Sequence, residues 1–159
     1  MSGNRRRTGR VQGYAWTLLI LTGLFGFRVG AQLIQVWHPV AFFPSFDAWQ
    51  SGALPYQLLL LFQVGILGIC LRIVYRMFKG AVVPVQKKGK NLLYLGGLYL
   101  SVMGIRLLIG LTVAPDHFWF GAVLPTVFHF VLAAFMLVYG QYHVSGACPS
   151  KFIPHEAKV

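Results

Sequence analysis

LLYLGGLYLSVMGIRLLIGLTV, residues 92–113, runs for 22 residues with a single charged side chain, Arg106. A helix needs about 20 mostly apolar residues to cross roughly 30 Å of hydrocarbon, so this stretch has the length and character of a membrane span. Three more runs of the same kind surround it: residues 14–36, 54–78 and 118–144, of 23, 25 and 27 residues. Together the four cover 97 of the 159 residues, and no stretch remains for a separate water-soluble domain. Composition agrees. Only 11% of the chain is charged, against about 25% in soluble domains, and 57% is hydrophobic. The expected fold is an all-α integral membrane protein: a four-helix transmembrane bundle in one domain, residues 1–159.

The net charge of +11 is informative only once its members are sorted by position. Arg5, Arg6, Arg7 and Arg10 precede the first run. Arg72 and Arg76 close the second, and Lys79, Lys87, Lys88 and Lys90 follow it, while Lys151 and Lys158 lie in the tail. The connections 37–53 and 114–117 hold no Lys or Arg, and their only charges are Asp47 and Asp116. The positive-inside rule then predicts that both termini and the middle connection are cytoplasmic, in a multi-pass protein of a bacterial inner membrane. This topology accounts for the basic residues without nucleic acid. The Lys87–Lys90 cluster is read as a contact for anionic lipid headgroups.

A cleavable signal peptide is the rival reading of the N-terminus, with a cleavage site at residues 29–31. Arg28 directly before that site and the apolar continuation through Trp37 argue against it. Thr8 and Gly9 stand where a twin-arginine signal needs bulky apolar residues.

Aromatic residues gather at the expected borders (Trp16, Trp37, Trp49, Tyr56, Tyr75, Trp119, Tyr139, Tyr142), as an interfacial belt would. Gly23, Gly26, Gly30, Gly65, Gly68, Gly97, Gly104 and Gly110 are expected to let helices approach closely within the bundle. Pro125, about two turns into the fourth run, is expected to bend it. The short 114–117 connection makes the third and fourth spans antiparallel neighbours. The connection 37–53 is too aromatic for a free loop, and is expected in the outer interface or folded over the mouth of the bundle.

Two arginines stand apart from the rest. Arg28 and Arg106 sit about 10–12 Å below the outer ends of their spans at 1.5 Å per residue. A charge at that depth costs several kcal/mol unless paired, so it marks a candidate site. Gln32 and Gln35 continue the face of Arg28. Two readings follow. Asp47 and Asp116 neutralise the arginines in structural ion pairs, or the guanidiniums share an outward cavity that binds an anionic or carbonyl-bearing ligand such as a lipid headgroup or a quinone.

His129 and Thr126 are further polar groups inside the fourth span. His143 returns to nearly the face of His129, a spacing that would stack two haem b ligands on one helix, although the other spans offer no facing histidine. His38 and His117 beside the two aspartates are weak metal candidates that follow no known ligand spacing. Cys70 and Cys148 form no Cys-x-x-Cys pair. Neither a phosphate-cradling glycine loop, a nucleophile elbow nor a catalytic carboxylate pair is present in the sequence.

The function expected on these grounds is a small non-catalytic membrane subunit that packs into and stabilises a larger complex of integral membrane proteins. A lipid- or quinone-binding redox component using Arg28 and Arg106 is the first alternative. A small oligomeric transporter or channel is the second.

Overall fold

The computed structural model describes residues 2–38, 40–43, 49 and 55–146, with side chains from residue 9 onward. All regular structure among them is helical: α1, Ser2–Trp37; α2, Tyr56–Phe78; α3, Gln86–Thr112; and α4, Val123–Gly146. Each is long and apolar enough to cross a membrane. Hydrocarbon offers no hydrogen-bond partner, and a helix satisfies its backbone internally.

α1 and α3 start earlier than the apolar runs and take in basic residues on the way. Lys and Arg are good helix formers, so nothing in local propensity stops a helix where the apolar residues begin. α2 ends differently, on a full Schellman motif. Gly80, at φ 65°, follows the Lys79 cap, its N–H reaching the Met77 carbonyl and the Ala81 N–H the Arg76 carbonyl, both at 3.0 Å. The left-handed backbone there suits glycine.

The start of α4 corrects two expectations. Residues 118–122 lie in the turns that lead into the helix rather than in the helix itself, because His117 organises them. Its Nδ1 accepts the N–H groups of Trp119 and Phe120, at 3.2 and 3.4 Å. Pro125 is therefore the third helical residue, where its missing N–H would have no intrahelical partner, and it fits the first turn instead of bending the middle.

The helices are arranged in the order α2, α1, α4, α3, and α2 does not pack on α3. Each contact is antiparallel. Gln32 of α1 meets Gln63 of α2, Tyr14 of α1 meets Tyr142 of α4, and Gly89 of α3 lies against Gly140 of α4. One end, the basic end, carries the start of α1, the α2–α3 connection and the end of α4. The far end carries the other two connections. Toward the basic end Ala15 and Leu18, Cys70, Val74 and Met77, and Phe135, Tyr139 and Tyr142 form one core. Ile20, Leu61 and Leu108 point outward, as expected of faces toward lipid.

Most glycines read as bundle contacts face open space: Gly23, Gly30, Gly65, Gly68, Gly97 and Gly104 have no neighbour where a Cβ would stand. Gly26 meets Leu67 of α2. The tight approaches in the α3–α4 pair are those of Gly89, Gly96 and Gly140, while Gly110 and Gly121 close against the connection before α4 and Gly146 against Pro84. The aromatic belt is likewise partial. Trp16, Trp37 and Tyr75 are exposed, but Trp49 is buried against Phe128, and Tyr139 and Tyr142 are buried in the core.

Candidate functional site

Arg28 and Arg106 come from helices that do not touch, α1 and α3, and both converge on the far half of α4. Arg28 is 6% exposed and Arg106 3%. The Arg28 guanidinium lies 5.3 Å from the Phe128 ring centroid and donates through Nη2 to the Trp49 carbonyl at 3.2 Å. Arg106 donates twice to one acceptor, the Trp119 carbonyl, through Nε at 3.1 Å and Nη2 at 2.6 Å. Its guanidinium also lies over the Trp119 ring, 4.4 Å from the centroid. Trp119 thus holds Arg106 by both its main chain and its indole.

Between the two arginines stands a pair that sequence reading only half found. Tyr99 of α3 and His129 of α4 are hydrogen bonded through the phenol and Nδ1. Each lies close enough to both arginines to feel their charge. The four side chains therefore share one polar region, although they come from three helices. Gln32 and Gln63 extend it toward α2: Gln63 Nε2 donates to Gln32 Oε1 at 3.2 Å. Three buried polar atoms around this region have no partner among the described residues: Arg28 Nε, Gln32 Nε2 and Gln63 Oε1. A buried donor left unpaired costs about 1–3 kcal/mol, so an external partner at these atoms would be bound with gain.

The other sequence candidates have different work. Gln35 fastens the start of the α1–α2 connection, accepting the Val40 N–H at 2.7 Å and donating to the Val40 and Phe43 carbonyls at 3.3 and 3.2 Å. Thr126 is fully buried and donates to the Ala122 carbonyl at 2.8 Å in the first turn of α4. Asp116 is exposed, while Arg106 is directed to the Trp119 carbonyl instead. Asp47 lies outside the described residues. His38 is exposed, and His117 Nδ1 is occupied by the turn it organises. No group of three or more metal-ligating side chains occurs among the described residues. Trp49 is buried and stacks on Phe128 at 6.2 Å, so the aromatic α1–α2 connection folds over the bundle at that residue.

Tyr99, Gln63 and Trp119 were not singled out as site residues from sequence. Gln63 carried a signal, as the one strongly polar residue between Leu58 and Leu71. Tyr99 carried one too, lying seven residues before Arg106 and so on nearly its face. The Trp119 carbonyl had none, because a main-chain acceptor has no sequence signature.

No protein-family model, no curated protein and no solved structure matches this chain. What fold and site define together is an all-helical protein with four potential spans and a buried polar cluster toward one end.

Proposed function

We propose that this chain is a multi-pass membrane protein of the bacterial inner membrane, with its basic end in the cytoplasm, that binds a carbonyl- or phosphate-bearing amphiphile at the Arg28–Arg106 cluster. A quinone head or a lipid headgroup has the required chemistry. One observation carries the reading: two buried guanidiniums bond only to the neutral carbonyls of Trp49 and Trp119 among the described residues, with Arg28 Nε and Gln32 Nε2 still open as donors. Forked donors suit carbonyl and phosphate oxygens. The inward placement of the basic end rests on the positive-inside distribution.

The experiment is organic extraction of the purified protein, with quinone and phospholipid counted per chain. The wild type is expected to retain one amphiphile per chain. Arg28→Gln is expected to lose it about ten- to a hundredfold, the equivalent of one charge-assisted hydrogen bond of about 1.5–3 kcal/mol. Wild type and variant that retain the same trace amounts would end the proposal.

The subunit reading keeps separate support. α2 turns Gly65 and Gly68 outward into open space, and neither glycine serves the chain's own packing. Small outward residues allow another helix to approach closely in lipid. Leucine at both positions is expected to release any integral membrane partner that co-purifies in mild detergent, without changing the melting of the chain. A wild-type protein that purifies as a stable monomer with no partner would refute this reading.

A further inference from the structure

At the basic end, away from the arginine cluster, the failure of α2 and α3 to meet leaves a cleft. It has a volume of about 350 Å³, with Arg72 and Arg76 from α2, Lys88 from α3 and His143 from α4 in its lining. The α2–α3 connection docks on α4 and fixes the shape of this space. Tyr142 donates its hydroxyl to the Val82 carbonyl at 2.7 Å, and the Val85 N–H donates to His143 Nδ1 at 3.0 Å.

That second bond decides the chemistry of the histidine. Nδ1 accepts a hydrogen bond from the main-chain N–H, so a neutral ring carries its own proton on Nε2. His143 is 1% exposed, and its Nε2 is buried without a partner among the described residues. The result is an unspent donor on a residue of the cavity wall, in a cavity lined also by three cationic side chains. Lys88 Nζ is held over the Tyr139 ring, 5.2 Å from the centroid, and lies 3.4 Å from its hydroxyl. Donors and positive charge are in excess there, and an anion is the missing complement. Ile69 and Ile73 continue the cleft wall along α2, where an acyl chain can lie in the gap before α3.

We propose that this cleft binds the phosphate group of an anionic phospholipid, with Arg72, Arg76 and Lys88 supplying charge and His143 Nε2–H donating to a phosphate oxygen. The site is independent of the Arg28–Arg106 cluster. It also differs from a general contact with the lysine-rich connection, because it uses α2 and a buried imidazole.

The test uses the full chain in neutral detergent micelles, titrated with phosphatidylglycerol, phosphatidylcholine or inorganic phosphate and read by native mass spectrometry. Phosphatidylglycerol is expected to bind at least tenfold more tightly than phosphatidylcholine, and millimolar phosphate is expected not to displace it. Arg72→Gln with Arg76→Gln should weaken that binding tenfold or more. Lys87→Gln with Lys90→Gln removes the same charge beside the cleft and should change it less than threefold. All four positions are exposed, and the one main-chain bond at stake, from Arg76 Nη2 to the Ala81 carbonyl at 3.4 Å, is itself on the surface, so unchanged melting of both pairs is the control for the fold. Equal losses from the two pairs would show diffuse surface attraction and overturn the site. Inorganic phosphate binding as tightly as the lipid would overturn the lipid assignment.

Discussion

Arg106→Leu is expected to loosen the far end of the protein and to lower its stability by about 2–4 kcal/mol. Two terms oppose each other. On the proposed membrane reading, removing the guanidinium relieves the cost of holding a charge at depth in hydrocarbon, about 2.5–3.5 kcal/mol on insertion scales. It also deletes two hydrogen bonds from a charged donor, about 1.5–3 kcal/mol each, and a desolvated cation–π contact of up to about 2 kcal/mol. The second sum is larger. Both bonds end on the Trp119 carbonyl, and the ring contact is with the same residue, so the loss falls on the 113–122 connection.

Arg106→Lys separates charge from shape. An ammonium keeps the charge but lacks the planar fork that places Nε and Nη2 on one carbonyl and stacks on an indole. Lysine is therefore expected to behave more like leucine than like arginine. Cys70 is a free thiol buried in the core, so its reaction with a thiol-specific fluorophore reports unfolding once Cys148 is replaced by serine. On that background the expected order of melting temperatures is wild type above lysine, with leucine close below lysine. A leucine variant that melts with the wild type would show that the Arg106–Trp119 contacts contribute nothing net.

The number of helices was legible from the sequence because hydrocarbon imposes length and composition together, and residues 92–113 satisfy both without help from their neighbours. The ends were less so. Lys87 and Lys88 extend α3 below its apolar run, and His117 diverts residues 118–122 into turns, both through local effects that hydropathy does not register. Arg28 and Arg106 stood out as charges at depth, and both are buried. Their acceptors did not stand out, since the Trp49 and Trp119 carbonyls belong to connections whose course no residue pattern announces. Glycine spacing misled for a related reason. Gly65 and Gly68 lie in an apolar helix just as Gly96 does, and only the helix order decides which face meets a neighbour.

That difference between glycines sets the second large expectation. At the basic end a Cβ on Gly89 would stand 2.8 Å from the Gly140 carbonyl oxygen and 2.7 Å from the Val144 side chain. A Cβ on Gly140 would stand 3.1 Å from the Gly89 carbonyl oxygen. Two backbones therefore touch where α3 crosses α4, and neither obstacle at the oxygens can rotate away. Gly89→Ala is expected to push the helices apart and cost about 1–3 kcal/mol, the range for overpacking, with Gly89→Leu costing more. Gly97→Ala and Gly104→Ala lie on the same helix with open space at the Cβ, and there alanine's better helix propensity predicts no loss or a gain of up to about 1 kcal/mol. The contrast is internal to α3, so a general effect of adding methyl groups to this helix is excluded by design. Thermal unfolding of the three alanine variants measures it. Equal melting temperatures would mean that α3 and α4 do not pack through Gly89. A selective loss at Gly89 would also open the cleft beside His143, whose position depends on the end of α4 staying against the Val82–Val85 connection. Lipid binding at the basic end should then fall along with stability in Gly89→Ala and stay unchanged in Gly97→Ala and Gly104→Ala.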